Sequence, residues 1–262
     1  LPSADGIVSQ VSPVEGGTPS AATAKRRRVG VIGSMVWDVI HGRDKRAVPV
    51  EEWGGISYSL AGLDAALDDD WEIVPLLKVG DDLVDKARAY CRSLRHIAAD
   101  AELIAVPYPN NRVEWTWLGL KPVLDAARLD ALYINFLSGW ELDLETPQLI
   151  RAHFAGPIYC DLHMLIFAVQ PDGLRVPRPL KDVAAWCGCF DVLQVNEDEM
   201  QMMAPDPMAL AATAMAAGCS CLCVTLGKRG AIYVAAPGVE TLRDIPSRDL
   251  SQVVMTGSRG GA

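Results

Sequence analysis

The sequence predicts an α/β fold, a mainly parallel central sheet with helices on both faces. Three observations predict it. Compact apolar runs of strand length recur along the chain, and helix-compatible segments separate them, which is the pattern of strands buried on both faces. The 262 residues are 50% apolar and 22% charged, a globular balance that supplies one large core.

Taken in order, residues 1–24 are rich in Ser, Pro, Gly, Ala and Thr. With the basic run Lys25 to Arg28 they are expected to form a disordered leader over 1–28, ahead of a domain spanning 29–262. The basic run comes after about two dozen leader residues, whereas a secretory signal puts its charge first and a hydrophobic block next. Residues 29–31 begin a buried strand expected to stop in a tight turn at Gly33. Residues 41–52 read as strand and loop. A helix is expected over 58–67, with Leu60, Leu63 and Leu67 on one face. Residues 72–79 form the next strand, and Asp81 is placed to cap a helix whose stripe is Leu83, Val84, Ala87, Cys91 and Leu94. Residues 103–106 and 112–117 look extended. Residues 118–128 suit a helix with Pro122 near its start. Residues 131–137, 157–161, 190–195, 220–226 and 231–235 are strands, and 209–217 is a helix ending at Gly218.

The formal charge is −9, from 33 acidic and 24 basic residues. That balance argues against broad nucleic-acid binding, which needs a basic footprint, but not against a small nucleotide ligand held by backbone N–H groups. No apolar run reaches the roughly 18 residues of a membrane span. The seven cysteines are an odd number in a chain that is not cysteine-dense, which fits reduced thiols better than a disulfide scaffold. Cys219, Cys221 and Cys223 share a face if extended, and buried small hydrophobes outweigh metal ligands there. The four histidines form no ligand motif.

In a parallel sheet, ligands collect at the carboxyl ends of the strands, so residues just past each strand carry the functional information. Asp38 follows the first strand, as a hydroxyl acceptor or as a turn residue. Gly54 and Gly55 precede a helix, where a ligand can approach the backbone. Asn196 ends a buried strand with Glu199 three residues on, which reads either as a helix cap with its capping-box partner or as a pair of hard oxygen donors. Thr225 and Gly227 lie at the carboxyl end of another strand, with Lys228 and Arg229 in the turn that follows. Gly30 and Gly33 lack the G-x-G-x-x-G spacing, which ranks a dinucleotide-binding oxidoreductase last.

In this order the motifs resemble the ribokinase-like (PfkB) family of sugar and nucleoside kinases, over about 29–235. Gly54, Gly55 and Ala61 match its glycine pair and small residue, and Ser59 stands where its substrate-binding Asn is expected. The run Lys78 to Asp82 resembles its VG-x-D stretch. Asn196 and Glu199 resemble its N-x-x-E pattern, and Thr225 to Gly230 its TLG-x-x-G turn. Asp161 and His163 fall where the family often has Asp-x-Asn or Asp-x-Arg.

The resemblance implies a ribokinase-like fold with a small β lid, from about 48–53 and 111–117. It also implies transfer of phosphate from ATP, with Mg²⁺, to a sugar or nucleoside hydroxyl. Asp38, Gly54, Gly55 and Ser59 would bind the substrate. Asn196, Glu199, Thr225, Gly227 and Gly257 would bind the nucleotide, with Glu199 reaching the metal through water. A cytoplasmic protein that forms a homodimer through its lid, with no nucleic-acid or membrane partner, completes the implication.

The family's D-T-x-G-A-G-D segment supplies an anion hole and a catalytic Asp. Here the nearest stretch is 254–260, where Thr256 and Gly257 survive. Met255 replaces the first Asp, Arg259 a glycine and Gly260 the catalytic Asp, so that the catalytic residue is unassigned. The chain is expected to be incomplete at its C-terminal end and weak or inactive as a kinase. The alternative is a non-catalytic sugar- or nucleotide-binding protein of the same fold.

Overall fold

The structure, a computed structural model, describes residues 25–40, 48–101, 103–106, 114–171 and 174–236. The chain enters on β1 (Arg27–Met35), pairs β2 (Trp37–Ile40) with β3 (Val50–Trp53), and passes through α1 (Ile56–Ala66), β4 (Trp71–Gly80), α2 (Val84–Arg92) and β5 (Ile104–Val106). It continues through α3 (Trp117–Ala127), β6 (Ala131–Asn135), α4 (Glu145–His153) and β7 (Ile158–Asp161). An antiparallel pair follows, β8 (Phe167–Val169) with β9 (Arg175–Pro177), and then α5 (Val183–Cys187), β10 (Val192–Asn196) and α6 (Glu197–Gln201). Last come α7 (Pro207–Ala216), β11 (Cys221–Thr225) and β12 (Ala231–Ala235).

The central sheet has eight strands in the order β12-β11-β10-β7-β6-β1-β4-β5. Every neighbouring pair is parallel except β11 with β12. The chain builds outward from β1 in one direction through β4 and β5, then returns to the other side of β1 with β6 and builds the opposite way. The boundary between β1 and β6 is therefore the topological switch point, where such sheets form their crevice.

Two apolar layers hold the sheet. On one face, Val29, Val31 and Met35 of β1 and Ile73, Leu77 and Val79 of β4 pack with Ile56 and Leu60 of α1 and Ala87 of α2. On the other, Ile32, Val74, Leu132, Ile134, Leu193 and Leu222 pack with residues of α3, α4, α5 and α7. Each large apolar side chain buried this way contributes about 1.5–3 kcal/mol. Pro75 is tolerated inside β4 because odd-numbered residues there aim their backbone groups at the β5 side. Ile73 bonds His96 and Ala98 on that side, whereas β5 pairs only with Lys78, Val79 and Gly80.

Several expectations are corrected. β1 runs through Gly33 to Met35 instead of turning. The glycine serves packing, since a Cβ there would meet Ile56 Cδ1 at 3.0 Å. The Asp81 carboxylate does not cap α2. Its N-cap is Leu83, without a side-chain bond, and Asp81 Oδ1 accepts from Asp82 N at 2.9 Å. Pro122 lies within α3, beyond its first turn. Cys219 precedes β11, and only Cys221 and Cys223 lie in it.

Of the expected lid segments, Val50–Trp53 is a strand, paired with Trp37–Ile40. Residues 114–116 are not in a strand, Trp115 is buried, and Trp117 opens α3, while 111–113 lie outside the described residues. Most of the expected leader also lies outside them, and β1 already begins at Arg27.

Candidate active site

The first half of the site lies where β1 leaves the sheet. Gly54 N donates to Val36 O at 3.0 Å, which ties the start of α1 to the end of β1. Asp38 and Glu52 are direct partners across the β2–β3 pair. The Asp38 carboxylate lies over Gly54, with no room for a side chain between them. Partial desolvation, then the neighbouring Glu52 charge, push the Asp38 carboxyl above its ordinary range. Tyr58 donates to Glu52 Oε1 at 2.9 Å.

Gly55 is the N-cap of α1 with φ 51°, a conformation that favours glycine, and Leu137 at the exit of β6 fills the space its side chain would take. Asp38, Gly54 and Gly55 thus gather at the crevice between β1 and β6. Ser59, one turn into α1, points elsewhere, and its hydroxyl bonds the Tyr133 hydroxyl at 2.9 Å.

The β2–β3 hairpin is pinned by its aromatic residues. Trp37 meets Trp53 edge-on at 5.1 Å, and Lys86 Nζ of α2 sits 2.8 Å from the Trp37 ring centroid. This cation–π contact fixes the hairpin that carries Asp38.

The second half lies at the ends of β10 and β11, where Asn196 and Thr225 are register partners. Asn196 caps α6, with Oδ1 accepting from Glu199 N at 2.9 Å while Glu199 Oε2 accepts from Asn196 N at 2.8 Å. The reciprocal capping box is therefore present. Glu199 is buried, and its Oε1 also accepts from Asn196 Nδ2 at 2.5 Å and faces His163 Nδ1 at 3.1 Å. The Glu199 hydrogen bond raises the His163 pKa against the opposing effect of burial.

Gly227 has φ 58° with open space beside it, in the exposed turn 227–230. Arg229 is paired with Glu197, so it is not a free cation facing that turn. Gly257 and the whole of 254–260 lie outside the described residues.

Between the halves stand β6 and β7. Asn135 and Asp161, the last residues of these strands, are register partners, and Asn135 Nδ2 donates to Asp161 Oδ2 at 3.1 Å. Burial lifts the Asp161 carboxyl to about 6. Phe136 N donates to Asp161 O and Met164 N to Phe136 O, which laces the two exit loops together. Sequence reasoning missed Asn135, although a polar residue closing an apolar strand at its carboxyl end is a usable signal. It also missed Glu52 and Tyr58, which no motif marks.

No family model matches the chain, and no curated protein matches it in sequence. Solved structures do match in shape. A pyrophosphate-dependent kinase in the ribokinase family, complexed with a pyrophosphate analogue and myo-inositol, has TM-score 0.61 at 13% identity, covering 79% of this chain and 76% of that one. A nucleoside kinase of Burkholderia thailandensis in complex with inosine has TM-score 0.53 at 14% identity, covering 80% and 74%. An aminoimidazole riboside kinase from Salmonella enterica has TM-score 0.51 at 16% identity, covering 80% and 74%. The fold is ribokinase-like, with the mostly parallel central sheet that the sequence predicts and a small antiparallel hairpin in which Val50–Trp53 pairs with Trp37–Ile40.

Proposed function

We propose that the chain transfers the terminal phosphoryl group of ATP to a hydroxyl of a sugar or nucleoside, at a low rate. One observation carries the reading. The strand order brings Asp38, Gly54 and Gly55 to the same sheet edge as Asn196, Glu199, Thr225 and Gly227, with two strands between them. An acceptor held at the first group and a triphosphate at the second can meet over β6 and β7. Asp38 accepts hydrogen bonds from acceptor hydroxyls. Thr225 offers a hydroxyl to the donor and Gly227 an open backbone. Most of the catalytic gain would come from positioning the two substrates. Ser59 remains a weaker candidate for the acceptor, because its hydroxyl is shared with Tyr133.

Among the described residues, no group of three or more His, Cys, Asp or Glu side chains could hold a metal directly. The oxygens of Glu199 are already engaged by its cap and by His163. These groups fit Mg²⁺ that keeps its waters, with Glu199 reaching it through one of them. The ion would neutralise phosphate charge when bound.

The departure of 254–260 from the family's segment favours a second reading, a sugar- or nucleotide-binding protein without turnover. A coupled ADP-release assay over sugars, polyols and nucleosides, run beside calorimetric binding, separates the two. Turnover supports the kinase, and binding alone supports the second reading.

The reading extends to a homodimer through the lid, where Val39, Ile40 and Val50 are exposed. It extends also to a cytoplasmic location, in keeping with seven free cysteines. Among the described residues no helix is long and apolar enough to cross a membrane.

A further inference from the structure

One carboxylate at the sheet edge belongs to neither half of the site. Asp161 closes β7, which lies between the β1–β6 crevice and the β10–β11 pair. Asn135 is its partner on one side and Gln194 on the other. Ile32 and Ile134 are partners across β1 and β6, so Gly33, Asn135 and Asp161 form one row across three strands. At about 4.8 Å between strands, Asp161 lies roughly 10 Å from β1, about the same from β11, and one strand from β10.

Side chains alternate along each strand. Leu132, Ile134, Ile158 and Cys160 face one core layer, so Asn135 and Asp161 leave on the opposite face. That is the face on which Ile56 of α1 covers Gly33. Asp161 therefore sits on the floor between the glycine-pair end of α1 and the capped end of α6. Asn135 is 4% exposed, and its Oδ1 has no hydrogen-bond partner among the described residues. Asp161 is only half-buried, so its carboxylate is the member of this pair that a ligand hydroxyl can reach.

We propose that Asp161 is the general base of phosphoryl transfer in this chain, an assignment that rests on reading the chain as a kinase. The acceptor hydroxyl gives its proton to an Asp161 carboxylate oxygen as its own oxygen forms the new bond to the terminal phosphorus. The bond from that phosphorus to the bridging oxygen breaks, and ADP leaves with the electron pair. Asn135 Nδ2 and the His163 backbone N–H orient the Asp161 carboxylate, whose remaining lone pair takes the proton.

The two carboxylates already placed in the site suit this role less well. Glu199 is 3% exposed with both oxygens engaged. Asp38 is folded over Gly54 at the far end of the acceptor side. The stretch 254–260 contains no Asp or Glu. The environment of Asp161 agrees with the assignment. Burial raises its carboxyl to about 6, His163 lowers it and Glu199 raises it, with Tyr133 and Tyr159 stacked at 4.9 Å on the same face. Such a base is ionised at neutral pH yet stronger than an exposed aspartate.

The test uses the full chain with ATP and Mg²⁺ against a panel of pentoses, hexoses, myo-inositol and nucleosides. It reads kcat and KM by ADP release and acceptor Kd by calorimetry, for wild type, Asp161→Asn and Asp161→Ala. The expected result is a 10²–10⁴-fold loss of kcat in both variants with acceptor Kd changed less than about threefold. Added formate should restore part of the rate in Asp161→Ala, a response that a merely structural residue would not give. Turnover in Asp161→Asn within tenfold of wild type, or loss confined to KM and Kd, overturns the base assignment and leaves the kinase reading standing. Absence of rescue in a folded Asp161→Ala counts against the assignment in the same way. Absence of wild-type turnover on every acceptor overturns both.

Discussion

The Asp38 carboxylate rests on the Cα of Gly54, so that a Cβ on Gly54 would overlap Asp38 Oδ2. The contact joins two stretches that the lid strands bring together, the exit of β1 and the entry of α1. Asp38 is at the exposed end of a flexible side chain, which can swing aside. Gly54→Ala should therefore leave stability within about 1 kcal/mol of wild type and displace the carboxylate instead. Acceptor affinity should fall about 10–100-fold, as in Asp38→Asn, because a displacement of about 1 Å is costly at a positioned site. Calorimetric titration with myo-inositol and inosine beside urea unfolding checks both halves of the prediction.

Gly55 should behave in the opposite way. Its φ of 51° disfavours any L side chain, and a Cβ would overlap the Leu137 methyls. With ψ at −106° the backbone is outside even the left-handed helical region, so Gly55→Ala should cost about 1–3 kcal/mol for the backbone alone. Repacking Leu137 adds to that, and the loss should appear in the urea midpoint. The two adjacent glycines then separate cleanly, one by binding and one by stability.

That separation could not be read from the sequence, because it depends on Asp38 and Leu137, contacts made across 16 and 82 positions of the chain. What was legible is local. The apolar runs at 131–137, 157–161 and 220–226 became β6, β7 and β11, and the Asn196–Glu199 spacing became a capping box, because burial and capping are written in neighbouring residues. The lid partner of Val50–Trp53 was not legible. Trp37–Ile40 is only four residues long, shows no periodicity that separates it from β1, and owes its pairing to Trp37 meeting Trp53 and Lys86. The β8–β9 pair, with strands of three residues, lies below any periodic signal.

Alkaline stability should be set by the buried thiols. Burial raises Cys187 to about 12 and Cys91 and Cys189 to about 11, from an ordinary value of 9. The unfolded chain loses these protons first, so their stabilising effect is complete below pH 9 and is lost as pH rises through 11–12. Lys78 acts with the opposite sign. Burial lowers it from 10.5 to about 8, so the folded state releases a proton that the unfolded chain keeps, and stability grows between those values. Urea unfolding under reductant from pH 7.5 to 10.5 should show a decline starting near 9 that Cys187→Ala makes shallower. The difference between wild type and Lys78→Met should grow in favour of wild type from pH 8 upward.

The last prediction concerns Glu199 and His163, which face each other at 3.1 Å. His163 has φ 28°, so it is held in a conformation that few side chains adopt, and its imidazole is fixed by the carboxylate of a different helix. Glu199 contributes the largest effect raising the His163 pKa, with Asp161 and Glu141 adding to it and burial opposing. Glu199→Gln keeps the shape and one acceptor oxygen but removes the charge. The His163 pKa should then fall, which imidazole proton shifts followed by NMR between pH 5 and 8.5 would record. The stability consequence has a definite sign. Because the folded His163 pKa is raised, the pairing stabilises fully below the unfolded value of 6.5 and fades as pH rises through the folded value. The gap between wild type and Glu199→Gln should therefore be wider at pH 5.5 than at pH 8.5. At pH 8.5 the gap should be small, because the Gln carbonyl can still accept from Asn196 N and keep the capping box closed. A gap that does not change with pH would mean that Glu199 holds α6 but not His163, and the carboxyl end of β10 would then be ordered by the cap alone.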